Sequence, residues 1–190
     1  MSNPPQVEIA FVAALEREVA GLARGRHIEE LPVSDGVLKV YRIENAVLTC
    51  AGTGAARANL AAKKLLQHYS PKLLISIGFA GSCTNKITPG EIFIPSRVVE
   101  SATSREFATI CGEHTLVTLD RVAGSRLKQC SAARFDAQVV DMEAAGVAGQ
   151  HHRRIVGPDQ GPARAAGLQA GHLAADRARA GRPGSDGLAQ

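Results

Sequence analysis

Apolar positions along the first 150 residues switch repeatedly between an unbroken or alternating pattern and a helical one. Val7 to Ala14 is an apolar run of strand length, after which Leu15, Val19 and Leu22 recur at helical spacing, so the chain should turn from strand to helix there. Leu38 to Ile43 and Ala46 to Ala51 predict two strands folded back around Glu44-Asn45. The second of these runs into Gly52-Thr53-Gly54 and then into an Ala-rich helix from about residue 55 to 68, closed by Pro71. Lys72 to Ile77 is nearly continuous in apolar residues, as a strand covered on both faces would be, and it stops at Gly78-Phe79-Ala80-Gly81-Ser82. Glu91 to Pro95, Arg97 to Glu100, His114 to Leu119 and Ala137 to Val140 are further strand candidates, and Met142 to Gly149 reads as a helix. Strands alternating with helices predict an α/β sheet with helices on its faces.

The pattern ends near residue 150. Residues 151–190 contain no Lys, Glu, Phe, Tyr, Met or Cys and are rich in Ala, Gly, Arg and Pro, which predicts a 1–150 domain followed by a poorly ordered 151–190 tail. Within that tail Ala163 to Ala180 has at most weak helical character. Composition also locates the charge: six Arg against three Asp give the tail +3 of the formal +4, so the basic balance argues for no nucleic-acid partner. No stretch reaches the roughly 20 apolar residues of a membrane span. Met1-Ser2-Asn3-Pro4-Pro5 lacks the basic and apolar regions of a secretion signal, and the expected location is the cytoplasm. Cys50, Cys83, Cys111 and Cys130 show neither a C-x-x-C nor a metal-ligand spacing, so buried free thiols are expected and no metal site.

In α/β sheets ligands collect beyond the carboxyl ends of the strands. Four places there carry candidate chemistry: Glu16 to Glu18, Gly52 to Gly54, Gly78 to Ser82, and Asp141 to Glu143. Gly52-Thr53-Gly54 between a strand and a helix suits either an anion held by free backbone N–H groups or a tight turn with close helix packing. A dinucleotide fingerprint would need a third Gly near Arg57 and an acid about 20 residues on, and Ser70 to Ile77 has no carboxylate. Glu18 fits a solvated helix face as well as a catalytic base, and Asp141 could serve as a helix N-cap.

Taken in order, Ala13-Ala14-Leu15-Glu16-Arg17-Glu18-Val19, Ala51-Gly52-Thr53-Gly54, Ile75-Ser76-Ile77-Gly78-Phe79-Ala80-Gly81, Pro89-Gly90-Glu91-Ile92 and Val140-Asp141-Met142-Glu143-Ala144-Ala145 resemble the nucleoside phosphorylase and nucleosidase superfamily, most of all its methylthioadenosine/S-adenosylhomocysteine nucleosidase branch. The resemblance covers about residues 7–149. It implies a three-layer mixed sheet with helices on both faces, a small-molecule nucleoside substrate, no cofactor and a homodimer. It also implies hydrolysis of the bond between a purine and ribose through a transition state of oxocarbenium character. Glu18 matches the carboxylate that activates water, Glu143 the acid that accepts the ribose hydroxyls, and Met142 the side chain packed against the sugar. Ala80 and Gly81 match the backbone along base and sugar, and Phe79 stands where a small, often hydroxylated residue is common.

The phosphorolytic branch uses an early Gly-x-x-x-Arg and an Arg before the Gly-rich turn; Ala14, Glu18 and Leu74-Ile75 occupy those places here, which favours water over phosphate. A hopanoid-associated nucleosidase of the same superfamily differs only in the 5′ group. Two departures stand against activity. The Pro95 to Leu116 region is short, and the superfamily's Ser-Asp pair, whose Asp protonates the purine, has no counterpart at Ala163 to Gly167, where neither acid nor strand is expected. Ser185-Asp186 lies too far along to replace it. The chain is therefore expected to have an incomplete C-terminal part, and an inactive remnant is the rival reading.

Overall fold

In the computed structural model, which describes residues 3–34, 36–151 and 164–170, the apolar strands build two mixed sheets. In chain order the strands are β1 (Gln6–Ala13), β2 (His27–Val33), β3 (Gly36–Ile43), β4 (Ala46–Cys50), β5 (Ser70–Gly78), β6 (Gly81–Ser82), β7 (Ile92–Phe93), β8 (Arg97–Glu100), β9 (Arg105–Ala108), β10 (Thr115–Thr118), β11 (Ala137–Asp141) and β12 (Arg164–Ala170). The first sheet runs β2-β3-β4-β1-β5-β12-β7 and the second β6-β11-β10-β8-β9. The helices are α1 (Ala20–Ala23), α2 (Ala55–His68), α3 (Ser125–Phe135) and α4 (Ala144–His151). The expected α/β class with helices on both faces stands, with its strands divided between two sheets.

Burial explains which side of each sheet receives which helix. Ala58, Ala61, Ala62, Leu65 and Leu66 form one apolar stripe on α2 and close a core with Ala10, Val12, Val40, Val47 and Leu74 of the first sheet. The opposite face of that sheet meets Val19 and Ala23 through Ala13, Tyr41 and Leu48. In the second sheet Leu116 and Val139 pack on Ala144, Ala145 and Ala148 of α4, while Val117 and Val140 pack on Leu127 and Phe135 at the two ends of α3. Helix α4 also crosses α2 closely: a Cβ on Gly146 would lie 2.0 Å from the Ala55 carbonyl oxygen, and Asn59 Nδ2 donates to the Gly146 carbonyl at 2.9 Å. Only glycine allows that approach.

Several expectations are corrected. The helix expected from Leu15 to Leu22 is a 3₁₀ turn, Glu16–Glu18, followed by the single turn α1, because Val19 leaves the helical region at φ −125°. Helix α4 starts at Ala144 rather than Met142, since the Asp141 carboxylate accepts the Ala144 N–H and holds Met142 and Glu143 outside the first turn. Pro71 does not close α2; the helix ends at His68 and Pro71 is the second residue of β5.

Strands β2 and β9 and helix α3 have weak sequence signals because β2 and β9 are edge strands with few buried residues and α3 buries only Ser131 fully. The correction with most bearing on function concerns β12. Residues 164–170, expected to carry neither a strand nor order, pair in parallel with β5 from Arg164↔Leu73 to Gln169↔Gly78 and in antiparallel fashion with β7. Ladder hydrogen bonds come from the backbone, so a small-residue segment with no apolar alternation can still extend a sheet. Ser185 and Asp186 lie outside the described residues.

Candidate active site

Register brings the informative strand ends together. Ala13 lies beside Cys50 and Ile77 in the parallel β4-β1-β5 set, and Thr118 lies beside Asp141 in the parallel β10-β11 pair. A cleft of about 270 Å³ opens where these ends meet, lined among others by Glu18, Thr53, Phe79, Gly81, Met142 and Glu143. Five of the six residues expected at a site thus share one cleft. Ala80 is turned into an adjoining cavity of about 240 Å³, with Ile87, Thr88, Pro89, Phe93 and Val139. Gly81 borders both.

The two glutamates are held by backbone. Glu18 Oε2 accepts the Leu15 N–H at 3.1 Å while the Glu18 N–H donates to the Leu15 carbonyl at 3.0 Å, a reciprocal pair that folds the side chain back over the end of β1. Its carboxylate rests on Gly78, where a Cβ would sit 3.2 Å from Oε2. Glu143 Oε1 accepts the Gly54 N–H at 2.7 Å, and Oε2 accepts the Met142 N–H at 3.3 Å. Gly54, at φ +104°, precedes α2, and its N–H, the donor an external anion would use, is spent on the protein's own carboxylate. Burial raises the pKa of Glu143, the Gly54 N–H opposes this, and the negative charge of Glu18 raises it further. The two carboxylates therefore feel each other across the cleft.

Behind them Asp141 is fully buried. Thr118 Oγ1 donates to its Oδ1 at 2.7 Å, and the Ala144 N–H donates to its Oδ2 at 2.7 Å. Thr118 Oγ1 in turn accepts the Ala145 N–H at 3.0 Å. Burial pushes Asp141 up to about 6 against those hydrogen bonds. Its role is to fasten β10 and β11 to the start of α4, which supports the N-cap reading in kind. Beside the other glutamate, Tyr41 donates to Glu16 Oε1 at 2.7 Å, and that bond with burial pushes the phenol up to about 12.

Arg17, within the Glu16 to Glu18 stretch, also lines the cleft, as do Leu119, Arg121, Val122, Ala123 and Lys128, which the sequence reading did not single out. Leu119 to Ala123 leave the carboxyl end of β10, so the strand-end rule applied to His114 to Leu119 would have found them. Lys128 lies on α3, for which the sequence has no clear helical stripe. All four cysteines are free, as expected, but they are not buried: Cys111 and Cys130 are exposed, the latter on the outer helix α3, and Cys50 and Cys83, at the ends of β4 and β6, are only half-buried. Burial, then Glu16 and Glu18, pushes the Cys50 thiol up to about 11. Among the described residues no group of His, Cys, Asp and Glu is arranged to hold a metal, and no helix is long and apolar enough to cross a membrane.

Comparison with known proteins agrees with this arrangement. The model of the phosphorylase superfamily matches residues 8–130. A 5′-methylthioadenosine/S-adenosylhomocysteine nucleosidase of Buchnera aphidicola is 33% identical over 93 residues, covering 47% of this chain and 37% of that protein. The nucleosidase of the same description from Staphylococcus haemolyticus is 28% identical over 95 residues, covering 48% and 41%. The matched part thus spans about two fifths of the length of these relatives. Among solved structures, a futalosine hydrolase mutant of Helicobacter pylori superposes with a TM-score of 0.69 at 16% identity, over 86% of this chain and 88% of that one. An S-adenosylhomocysteine nucleosidase from Streptococcus pyogenes in complex with 5-methylthiotubericidin gives 0.70 at 16%, over 89% and 85%. At such identities the superpositions show the fold.

Proposed function

Because the chain belongs to the phosphorylase superfamily, we propose that its cleft hydrolyses the N-glycosidic bond of a purine nucleoside carrying a 5′ substituent, of the methylthioadenosine/S-adenosylhomocysteine type. The observation that carries this reading is the pair of backbone-held carboxylates, Glu18 and Glu143, brought to one cleft from opposite ends of the domain.

Each carboxylate has the acceptor capacity its role requires. Glu143 receives one backbone N–H on each oxygen, and a carboxylate offers about four lone-pair sites, so two remain for the ribose 2′ and 3′ hydroxyls. Its negative charge also favours the positive charge that develops on the ribose ring as the glycosidic bond stretches. Glu18 is fixed through Oε2, which leaves Oε1 to orient a water and take its proton as the oxygen bonds to the anomeric carbon. Met142, Phe79 and the Gly81 backbone form walls against sugar and base. The arginine positions of the phosphorolytic branch are absent from the sequence, which supports water as the nucleophile. The substrate's 5′ group, a cytoplasmic location and a homodimer belong to the same proposal.

The test is release of adenine from methylthioadenosine by the purified, folded chain. A chain that shows a native circular dichroism spectrum and releases no base at high protein concentration is the inactive remnant instead.

A further inference from the structure

A departing purine leaves with the electron pair of the broken bond and needs a proton or a positive charge to receive it. Among the described residues four carboxylates border the two cavities. Glu91, at the adjoining cavity, is exposed, and its Oε2 is held by the Thr88 N–H at 3.0 Å and the Thr88 hydroxyl at 3.1 Å. Glu18 and Glu143 face the sugar on the reading above, and Asp141 is engaged by Thr118 and by Ala144. Strand β12 ends beside the Gly-rich turn at Gln169↔Gly78, and residues 164–170 contain no acid. The cleft does contain cations. Arg17 is exposed, and Arg121 is exposed and held by Asp120 at 2.9 and 3.2 Å.

Lys128 differs from both. It is half-buried, and among the described residues no carboxylate lies within ion-pair distance of it. Its Nζ rests against Gly81, 3.0 Å from where a Cβ would be. It borders both the carboxylate cleft and the adjoining cavity. That cavity has apolar walls from Ala80, Ile87, Pro89, Phe93 and Val139, the kind of surface a flat purine needs.

Resting on the nucleosidase reading, we propose that Lys128 is the catalytic residue that receives the leaving base: its ammonium lies between the two cavities and donates to the purine as the glycosidic bond breaks. The bond between the purine nitrogen and the anomeric carbon cleaves, its electron pair moves onto the purine, and an ammonium proton passes to the purine. The oxygen of a water bonds to the anomeric carbon and its proton goes to Glu18. Transfer of one proton from Glu18 to Lys128 through solvent restores both groups, and the balance is nucleoside plus water to free purine plus the ribose product.

The experiment compares two nucleosides with the same sugar, methylthioadenosine and its N7-methylated counterpart, whose base is already cationic and needs no proton to leave. Lys128→Met should slow release of adenine by about 10²- to 10⁴-fold and change release of the methylated base by less than about threefold, with Lys128→Arg recovering part of the loss through its retained charge. Equal losses on both nucleosides, or no loss on either, would overturn the proposal. So would the leaving-group-dependent loss appearing in Glu91→Gln, Asp159→Asn, Asp176→Asn or Asp186→Asn instead. No release of either base by folded wild-type protein would remove the nucleosidase reading itself, a result distinct from these.

Discussion

Gly54 donates its backbone N–H to Glu143 Oε1 across 2.7 Å, joining the start of α2 to a carboxylate 89 residues further along the chain. Gly54 lies at φ +104° and ψ 146°, a conformation that L side chains rarely adopt, although nothing stands within 4 Å of a Cβ there. Gly54→Ala should therefore lose about 1–3 kcal/mol of stability through backbone strain and not through a clash. It should also displace the donor from Glu143 and weaken nucleoside binding. Urea unfolding and titration with a non-hydrolysable nucleoside analogue measure the two effects; unchanged values in both would show that the contact positions nothing.

Asp141 gives stability a defined pH dependence. Its folded pKa, about 6, lies above the ordinary 3.8 because the carboxyl is buried, so folding favours the protonated form. That contribution is complete below pH 3.8 and is lost as pH rises through about 6, after which this group adds no further slope. At about 1.4 kcal/mol per unit, the change across the window is roughly 3 kcal/mol. Asp141→Asn cannot ionise, so the difference in unfolding free energy between wild type and variant should move by that order between pH 4 and pH 7. A constant difference would assign the dependence to other groups.

The central strands and α2 were legible because burial imposes a pattern: Lys72 to Ile77 lies within β5 between β1 and β12, and residues 55–68 form α2 with the stripe that periodicity requires. The stretches that hold Glu18, Phe79, Gly81, Met142 and Glu143 leave local marks in sequence at strand ends and glycine turns, and the resemblance to the superfamily picked out the residues within them. Strand β12 could not be found this way, since Arg164-Ala165-Ala166-Gly167-Leu168-Gln169-Ala170 has no alternation and owes its conformation to the ladder with β5. Nor could the partner of Gly54, which only the close crossing of α2 and α4 makes available. Lys128 stayed hidden for a related reason: what marks it is its place over Gly81.

The charge of Glu18 raises the pKa of Glu143, in addition to the larger effect of burial. Removing that charge should lower it. In Glu18→Gln, turnover should fall by about 10²- to 10⁴-fold through loss of the base, while binding of a nucleoside analogue should persist and its acid limb should move to lower pH. Isothermal titration across pH 4 to 7 reads the limb. An acid limb that stays in place would mean that Glu143 does not govern binding or that the two carboxylates do not interact.

Cys83 reports where the Lys128 ammonium sits. Burial raises the Cys83 thiol, and the positive charge of Lys128 opposes that rise by favouring the thiolate. Lys128→Met removes the opposing charge, so the Cys83 pKa should go up and its alkylation at a fixed pH near 8 should slow, whereas Lys128→Arg should change it less. Cys111 and Cys130 are exposed and would react first, so the measurement belongs in a background with both replaced by Ser. Cys50 supplies an internal reference, because its thiol, pushed up to about 11, is raised by burial, Glu16 and Glu18 and owes nothing to Lys128. Its alkylation rate should be the same in all three proteins. Slowing at both cysteines would indicate general tightening of the fold, and slowing at Cys83 alone places the ammonium beside Gly81, where the leaving base would meet it.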